Sequence, residues 1–378
     1  GGGHGVAGRA LGGDVVIDLS ALRAVTVDPV ARTAVVQGGA TWGEVDQATQ
    51  AHGLAVPGGR VTHTGVAGLT LGGGEGWLSA EHGLSCDNLL AVDLVTADGR
   101  VLRVDDDSEP ELMWALRGGG GNFGVVTSFT FRLHPVGPIV FGGLIGFRPE
   151  DADAVLEAAE RVEATAVFLC APPAPFVPDD VVGQPIVAVA PTWFGDPAEG
   201  PAWVAPLRSA AEPLFDAVGP LPYVALQAML DDGAVPGMRN RWGAGYVEKL
   251  TPGLVATLRE AGLAAPSPFS QIIVTPVPEA VRRLPALPGC FPGRTSGWLV
   301  HPAGVWPDAA DDAANTAWVS RLMAAVKSTG TYLNVEEPDD DRVRWAMGEG
   351  RYRRLQEVKR IWDPDDVFRH CAHIRPRK

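Results

Sequence analysis

The sequence predicts an α+β protein of about two domains. The chain has 378 residues, which exceeds the ~150 residues that one domain usually holds. Between residues 15 and 132, short apolar runs are broken by glycine or Asp-Gly, a pattern typical of short strands. Beyond a proline-rich break at residues 134–138, strand-like and helix-like runs predict an antiparallel sheet with helices on one face.

The first region contains five predicted strands and two predicted helices. The Asp98-Gly99 pair predicts a tight hairpin turn between the third and fourth strands. Gly53 is expected to end the first helix. The strands are predicted at residues 15–19, 33–37, 90–96, 101–103 and 124–133, and the helices at residues 42–52 and 109–116.

The rest of the chain divides into a middle region and a shorter C-terminal segment. The middle region begins with a strand-like run at residues 139–147 and a predicted helix from residue 149 to about 163. Residues 331–335 are predicted as a strand. Apolar residues at helical spacing predict a helix over residues 352–362, which Asp363-Pro364 ends. We therefore expect three segments: 1–137, 138–330 and 331–378.

Composition excludes several classes of function. The net charge of −14 argues against nucleic acid as a partner, because phosphate binding needs a basic surface. No apolar run approaches the ~20 residues that cross a bilayer, so no membrane partner is predicted. The four cysteines are scattered and form no CxxC pair, which favours a reduced cytoplasmic protein, with two disulfides as the alternative. A small molecule is the expected partner, and the sequence does not define the oligomeric state.

Four glycine clusters are the most informative motifs. They read GGGHG from Gly1, GGATW from Gly38, GVAGLTLGGG from Gly65 and RGGGGNFG from Arg117. Glycine at this density indicates backbone brought close to something that no Cβ obstructs. Successive glycine N–H groups can form a cradle for a pyrophosphate, which predicts a large, flat, phosphate-bearing cofactor. Taken alone, GGGHG also fits a flexible terminus with an incidental histidine, and the three later clusters favour the cofactor.

Other cofactor and catalytic motifs are missing from the sequence. No strand–GxGxxG–helix unit and no P-loop are present, which disfavours a Rossmann nicotinamide fold and a nucleoside triphosphatase. The sequence contains no GxSxG nucleophile elbow. The eight histidines show no metal-ligand spacing, so no metal site is predicted.

The ordered series GGGH, GGATW, HTGVAGLTLGGGEGWLS, GLSCDNLL and WALRGGGGNFGVVT resembles the berberine bridge enzyme-like branch of the vanillyl-alcohol oxidase / p-cresol methylhydroxylase (PCMH) flavoprotein superfamily. The resemblance implies a PCMH-type FAD-binding domain of two α+β subdomains over residues 1–137, an α+β substrate-binding domain over 138–330, and a C-terminal segment, 331–378, that returns to the FAD domain. It also implies a bacterial member that lacks the N-terminal segment of the FAD domain.

The resemblance implies a covalent FAD and a set of cofactor contacts. His4 matches the histidine that bonds the flavin 8α-methyl group. Val61 stands where doubly linked members carry cysteine, so no second, cysteinyl link is expected. The remaining predicted cofactor contacts are Gly1, Gly2, Gly3, Gly5, Thr64, Gly65, Val66, Gly68, Leu69, Asp87, Asn88, Gly120, Gly121, Asn122, Gly124, Val125, Val126 and Asn334.

Tyr332 is the predicted catalytic base. On the predicted strand Tyr332 and Asn334 share one face, and Tyr332 matches the tyrosine of the family's Tyr-x-Asn motif. A tyrosine base requires a pKa below its usual value of about 10. Three tryptophans, Trp193, Trp242 and Trp298, are candidates either for an aromatic pocket or for the core.

The function implied by the resemblance is oxidation of a hydroxyl or amine carbon of a small organic molecule. Hydride passes to flavin N5, and dioxygen is the expected acceptor, giving hydrogen peroxide. Thr64 occupies the position associated with dioxygen access. Two alternatives remain open at this stage: a dehydrogenase that uses another acceptor, and a non-catalytic, truncated flavin-binding remnant.

Overall fold

The first third of the chain forms a five-stranded antiparallel sheet with four short helices. The computed structural model describes residues 1–6, 8, 12, 13, 15–283, 286–336 and 339–377. The elements of this region are β1 (Val25–Asp28), β2 (Thr33–Gln37), α1 (Trp42–Gln50), β3 (Leu54–Ala55), α2 (Val66–Leu71), α3 (Ser79–His82), β4 (Leu89–Val95), β5 (Val101–Asp105), α4 (Pro110–Leu116), β6 (Val125–Arg132) and β7 (His134–Pro135).

Strand order in this sheet is β1-β2-β6-β4-β5, and β3 pairs separately with β7. The predicted hairpin is confirmed, since β4 and β5 are antiparallel neighbours and Gly99 at their turn has φ +81°. The strand predicted at residues 15–19 is wrong. That segment pairs with no described strand, and most of its apolar side chains are exposed, Val15 by 79%. A strand needs a partner as well as an apolar run, and the first paired strand is β1.

The middle of the chain forms a larger antiparallel sheet. Its order is β13-β9-β11-β10-β17-β18-β15, with β16 also paired to β18, while β12-β8-β14 form a small third sheet. The elements are β8 (Ile139–Gly142), β9 (Ile145–Phe147), α5 (Ala152–Arg161), β10 (Thr165–Cys170), β11 (Pro185–Ala190), β12 (Thr192–Trp193), α6 (Gly200–Trp203), α7 (Ala205–Arg208), β13 (Phe215–Asp216), β14 (Gly219–Pro222), α8 (Tyr223–Gln227), β15 (Arg239–Trp242), β16 (Gly245–Val247), α9 (Pro252–Leu263), β17 (Gln271–Pro276), α10 (Glu279–Arg282), β18 (Trp298–Trp306) and α11 (Asp312–Ala325).

The two faces of the large sheet differ in burial. On one face, Val300 and its neighbours are buried against helices α5, α9 and α11. On the other face, Val167 and Ile273 are cross-strand partners that stay half-buried. Side chains alternate across a strand, so the helix-free face carries alternate residues of each strand. The predicted α+β class, an antiparallel sheet with helices on one face, is confirmed.

The C-terminal segment packs onto the first sheet. It contains α12 (Asp340–Met347) and α13 (Glu349–Trp362), and Leu355 and Val358 of α13 join the apolar core of the first region. The strand predicted at residues 331–335 is wrong, because residues Leu333–Val335 form a 3₁₀ turn instead. The division at residues 137/138 and 330/331 stays a prediction.

A buried lysine ties α13 to the fourth glycine cluster. Lys359 is fully buried, and its Nζ donates to the Asn122 carbonyl at 3.0 Å and to the Asp363 carboxylate at 2.5 Å. Nζ also donates a third hydrogen bond, to the Phe368 carbonyl at 2.9 Å. A buried ammonium is stable only when paired and hydrogen-bonded, and here it fixes the glycine loop to the C-terminal helix.

A buried carboxyl group gives the stability of the protein a predicted pH dependence. Asp46 of α1 is 2% exposed and accepts a hydrogen bond from Gln227 of α8 at 2.9 Å. Burial raises the pKa of Asp46 to about 7. The folded state therefore retains a proton that the unfolded state releases near pH 4, so this group lowers stability as pH rises from about 4 to 7.

Asp46→Asn should remove this pH dependence. The difference in the free energy of unfolding, variant minus wild type, should rise by about 2–3 kcal/mol between pH 5 and pH 8, because one pKa unit corresponds to ~1.4 kcal/mol. Urea unfolding of both proteins at the two pH values measures it. Asp153→Asn on α5, which removes an exposed carboxylate, is the control and should show a difference near zero. An equal difference at both pH values for Asp46→Asn would contradict the assignment.

Candidate flavin and substrate site

The first glycine cluster lies directly on the loop before α2. A Cβ on Gly2 would lie 2.0 Å from the His63 carbonyl oxygen, and one on Gly65 would lie 2.5 Å from the Gly2 nitrogen. The two loops therefore pack backbone against backbone, which only glycine allows. Gly3, by contrast, does not contact the other loop: it has φ +73°, and a Cβ there would meet no atom within 4 Å.

This surface fits the pyrophosphate-bearing cofactor that the sequence predicts. No described residue accepts a hydrogen bond from the main-chain N–H of Gly2, Gly3 or Gly5. Positions Gly5 and Gly68 are also open, since a Cβ at either would meet nothing within 4 Å. Main-chain N–H groups on a surface free of side chains can form an anion cradle. The residues present therefore fit FAD, and the phosphate-binding role of the first cluster stays a prediction.

His4 pairs with a histidine that sequence reasoning missed. Its Nε2 lies 2.6 Å from Nδ1 of His63, with the ring centroids 4.6 Å apart. Burial lowers the pKa of His4; nearby His63 lowers it further, and Asp231 opposes them. His4 is therefore neutral at neutral pH and keeps nucleophilic character. The only available signal for His63 was its position beside the predicted contact Thr64.

The loop from Thr64 to Leu69 continues the surface. The Thr64 carbonyl accepts the N–H of Trp42, and Gly65 bridges Thr41, which anchors the loop to α1. Val66, the first residue of α2, is buried, and the Leu69 carbonyl accepts a 3.0 Å hydrogen bond from Asn334 Nδ2. These contacts anchor the segment to α1 and to Asn334. A Cβ at Gly68 would meet no atom within 4 Å, so this position faces open space.

Two predicted contacts after α3 have side chains that the protein itself uses. Asp87 forms a buried ion pair with Arg294 and accepts the Leu84 N–H at 2.9 Å. Asn88 donates to the His82 and Leu84 carbonyls, and its Oδ1 lies 2.7 Å from Nε2 of His134. These side chains fix the local fold, so a cofactor contact there would come from the main chain.

In the fourth glycine cluster too, the side chain of Asn122 holds the local fold, so a cofactor contact would come from the main chain. Asn122 donates to the Gly119 and Ala372 carbonyls and accepts the Ile374 N–H at 2.9 Å, so its side chain joins this loop to the C-terminal segment. A Cβ on Gly121 would meet nothing within 4 Å. The other predicted contacts here are Gly120 at φ +76°, Gly124 at φ +157°, Val125 and Val126 at the start of β6.

Three N–H donors converge on the phenol oxygen of Tyr332. They are the main-chain N–H groups of Gly74 at 3.1 Å and Glu75 at 3.4 Å, and Asn334 Nδ2 at 3.0 Å. The Leu69 carbonyl requires the NH₂ of Asn334 to face this way. The shared face predicted for Tyr332 and Asn334 therefore exists, although a 3₁₀ turn produces it. A neutral phenol oxygen offers two lone pairs, so three donors favour the phenolate.

Burial of Tyr332 acts against the effect of these three hydrogen bonds, because it disfavours the charged phenolate. Tyr332 is buried beside Phe291, whose ring it meets edge-on at 5.8 Å. Burial raises the pKa of Tyr332 to about 12, with the hydrogen bonds from Gly74 and Asn334 acting in the opposite direction. At neutral pH the phenol is therefore mostly protonated in the protein alone.

Glu75, whose N–H reaches Tyr332, belongs to an ion pair that the sequence did not identify. Arg60 forms a short ion pair with Glu75, and its guanidinium carbon lies 4.7 Å from the ring centroid of Trp77. On the helix-free face of the large sheet, His301 of β18 lies 5.1 Å from Trp242 of β15.

The other two candidate tryptophans lie elsewhere. Trp298 is buried in the helix-covered core of the large sheet. The ring centroids of Trp193 and Trp203 lie 5.5 Å apart, with the two rings tilted by 33°. Nε1 of Trp193 donates to the Asp196 carbonyl at 3.0 Å. Trp298 is therefore a core residue, and a pocket role for the other two tryptophans stays a prediction.

The chain is similar to known FAD-linked proteins. The FAD binding domain family model matches residues 1–105, and the model for berberine and berberine-like proteins matches residues 331–375. An FAD-linked oxidoreductase from Aspergillus fumigatus is 31% identical over 402 residues, covering 95% of this chain and 82% of that protein.

Two solved structures share the fold. A 6-hydroxy-D-nicotine oxidase from Arthrobacter nicotinovorans has a TM-score of 0.85 at 26% identity and covers 100% of this chain and 86% of its own. A glucooligosaccharide oxidase from Acremonium strictum, which carries a 6-S-cysteinyl, 8α-N1-histidyl FAD, has a TM-score of 0.84 at 19% identity, with coverage of 100% and 86%.

A PCMH-type FAD-binding domain together with a berberine-like C-terminal segment defines an FAD-dependent oxidoreductase. The chain belongs to the berberine and berberine-like family of FAD-linked oxidoreductases. It is an enzyme that binds FAD and carries out oxidation. No helix in the described part of the chain is long and apolar enough to cross a bilayer.

Proposed function

We propose that this enzyme is an oxidase that removes hydrogen from a hydroxyl- or amine-bearing carbon of a small organic molecule, with dioxygen as electron acceptor. The observation that carries the proposal is Tyr332, whose oxygen receives three N–H donors beside the glycine cradle. When bound, FAD supplies the acceptor for a hydride equivalent and passes the electrons to dioxygen.

His4 is the proposed attachment point for FAD, through Nδ1. Its Nε2 is occupied by His63, so the Nε2–H tautomer leaves the lone pair on Nδ1 free. His63 then acts as a positioning residue that holds this tautomer and accepts the Nε2 proton. Val61 offers no thiol for a second link. Cys86 is fully buried, which raises its pKa well above the usual range and disfavours a reactive thiolate.

Tyr332 is the proposed proton acceptor. Its oxygen takes the proton from the substrate hydroxyl or amine, and the donors from Gly74, Glu75 and Asn334 stabilise the negative charge while the proton is absent. The Leu69 carbonyl holds Asn334 in the orientation that this requires. Gly73 allows Phe291 to pack against the same loop, which excludes water from this side.

Anaerobic mixing of the purified enzyme with a panel of alcohols and amines tests the proposal. A substrate should bleach the flavin absorbance near 450 nm, roughly the wavelength of oxidised flavin, and admission of air should restore the colour with one hydrogen peroxide released per turnover. Bleaching with recovery only by a quinone or dye would replace dioxygen with another acceptor. No bleaching by any member of the panel, with flavin present, would contradict catalysis of this type.

A further inference from the structure

Asp231 holds the loop that carries His63 through both oxygens of its side chain. Oδ1 accepts the Thr62 main-chain N–H at 2.8 Å, and Oδ2 accepts the Thr62 hydroxyl at 2.5 Å. The two residues are 169 positions apart, so the contact joins the middle of the chain to the loop before α2. The Thr62 carbonyl in turn accepts the Gly43 N–H of α1 at 2.8 Å. Thr62, the residue directly before His63, is thus fixed by Asp231 and by α1.

The segment that carries Asp231 has a separate anchor on α1. Asp231 begins the 3₁₀ turn Asp231–Gly233, shortly after α8 ends at Gln227, and Gln227 donates to Asp46 at 2.9 Å. Asp231 and Thr62 are both only half-buried. A substitution at Asp231 would therefore leave the segment on α1 and change only its contact with the loop.

The position of Thr62 determines where His63 meets His4. The His63 carbonyl packs on the first glycine cluster, since a Cβ on Gly2 would lie 2.0 Å from its oxygen. Nδ1 of the same residue lies 2.6 Å from Nε2 of His4. Both the main chain and the ring of His63 therefore depend on the loop that Asp231 holds.

The negative charge of Asp231 also acts on His4. Among the described residues, two titratable groups influence the pKa of His4 besides burial: His63 lowers it and Asp231 raises it. A nearby negative charge favours the cationic form of an imidazole. Asp231 is therefore placed to stabilise positive charge on the histidine pair.

Positive charge develops on His4 in the proposed attachment. Nδ1 bonds to the 8α-carbon of FAD, and the imidazole and the 8α-methyl group each release one proton. The electron pair left on FAD passes to dioxygen, which takes up two protons and becomes hydrogen peroxide. The imidazole is cationic from the time the bond forms until its Nε2 proton moves to His63.

We propose that Asp231 is a positioning residue for covalent attachment of FAD to His4. Its carboxylate holds Thr62, and thereby His63, in the place where His63 meets His4, and its negative charge stabilises the cation that forms on the pair. This deepens the proposed function, on which it rests, by assigning a residue of the middle region to the attachment step.

The rate of covalent incorporation of added FAD into the flavin-free full chain tests this inference. Intact-protein mass in air, followed between pH 5 and pH 9, gives the rate and the midpoint of its rise with pH. Asp231→Asn can still accept the Thr62 N–H but lacks the charge, so the rate should fall about tenfold. Its midpoint should move to lower pH, because neutral His4 then persists in more acidic solution.

Two further variants separate the charge from the hydrogen bonds. Thr62→Val removes one hydrogen bond and keeps the charge, so it should slow incorporation about threefold without moving the midpoint. Asp232→Asn is the matched control, because Asp232 is the exposed neighbour in the same turn, and it should change neither rate nor midpoint.

An unchanged rate in Asp231→Asn, or a slower rate with an unmoved midpoint, would overturn the proposal for Asp231 alone. Absence of covalent incorporation into the wild type at every pH would contradict attachment at His4 itself. Incorporation is measured without substrate, so neither result bears on substrate oxidation, which the bleaching experiment decides separately.

Discussion

His4→Ala is expected to abolish covalent flavin attachment. Nδ1 of His4 is the proposed nucleophile, since Nε2 lies 2.6 Å from Nδ1 of His63 and burial lowers the pKa of the ring. After acid precipitation, the yellow colour of the wild type should remain in the pellet, whereas that of His4→Ala should move to the supernatant. Intact-protein mass should show the loss of one flavin per chain.

The control for this prediction is His52→Ala, which removes an exposed histidine at the end of α1. It should retain the colour in the pellet. A pellet that stays yellow in His4→Ala would place the link elsewhere, and colour in the supernatant of the wild type would mean that FAD binds without a covalent bond. Neither result would alter the family assignment.

His63 should act through His4, and its variants separate a positioning role from a structural one. His63→Ala should slow covalent incorporation of added FAD about tenfold, because Nε2 of His4 loses the acceptor that holds its proton. His63→Asn can still accept a hydrogen bond and should restore most of the rate. Equal incorporation in all three proteins would remove His63 from the attachment step.

Tyr332→Phe is expected to slow substrate-dependent flavin reduction by about 100-fold or more, the usual loss on removal of a general base. The ring and its edge-on contact with Phe291 are retained, so only the oxygen and its three hydrogen bonds are lost. Single-turnover absorbance measurements under anaerobic conditions give the rate directly and do not depend on the electron acceptor.

The pH dependence tests the same role independently. The pKa of Tyr332 is raised to about 12, so the phenolate is the minor form at neutral pH and its population grows tenfold per pH unit. The wild-type rate of flavin reduction should therefore rise between pH 7 and pH 9, and Tyr332→Phe should lose this slope. Tyr246→Phe, in the same apolar cluster, is the control and should keep both rate and slope. An unchanged rate in Tyr332→Phe would exclude the tyrosine as base.

Short-range chemistry explains what the sequence could predict. Glycine clusters and paired apolar runs are local features, so β2, β4, β5, β6 and the hairpin at Gly99 were predicted within a few residues. The same motifs predicted the cofactor-binding surface around His4. The two wrong strands, at residues 15–19 and 331–335, show the limit of this approach, because an apolar run reveals nothing about whether a neighbouring strand exists to pair with it.

By itself the sequence determined the fold class, the family resemblance and the candidacy of His4 and Tyr332. Only the tertiary structure decided which groups surround them. His63 is 59 residues from His4, and Gly74 is 258 residues from Tyr332. The ion pair of Arg60 with Glu75 and the contact of Trp242 with His301 likewise join separate loops and strands. Hydrogen-bond donors and charges act over a few ångströms, and no periodicity in a linear sequence encodes which distant side chains meet at that range.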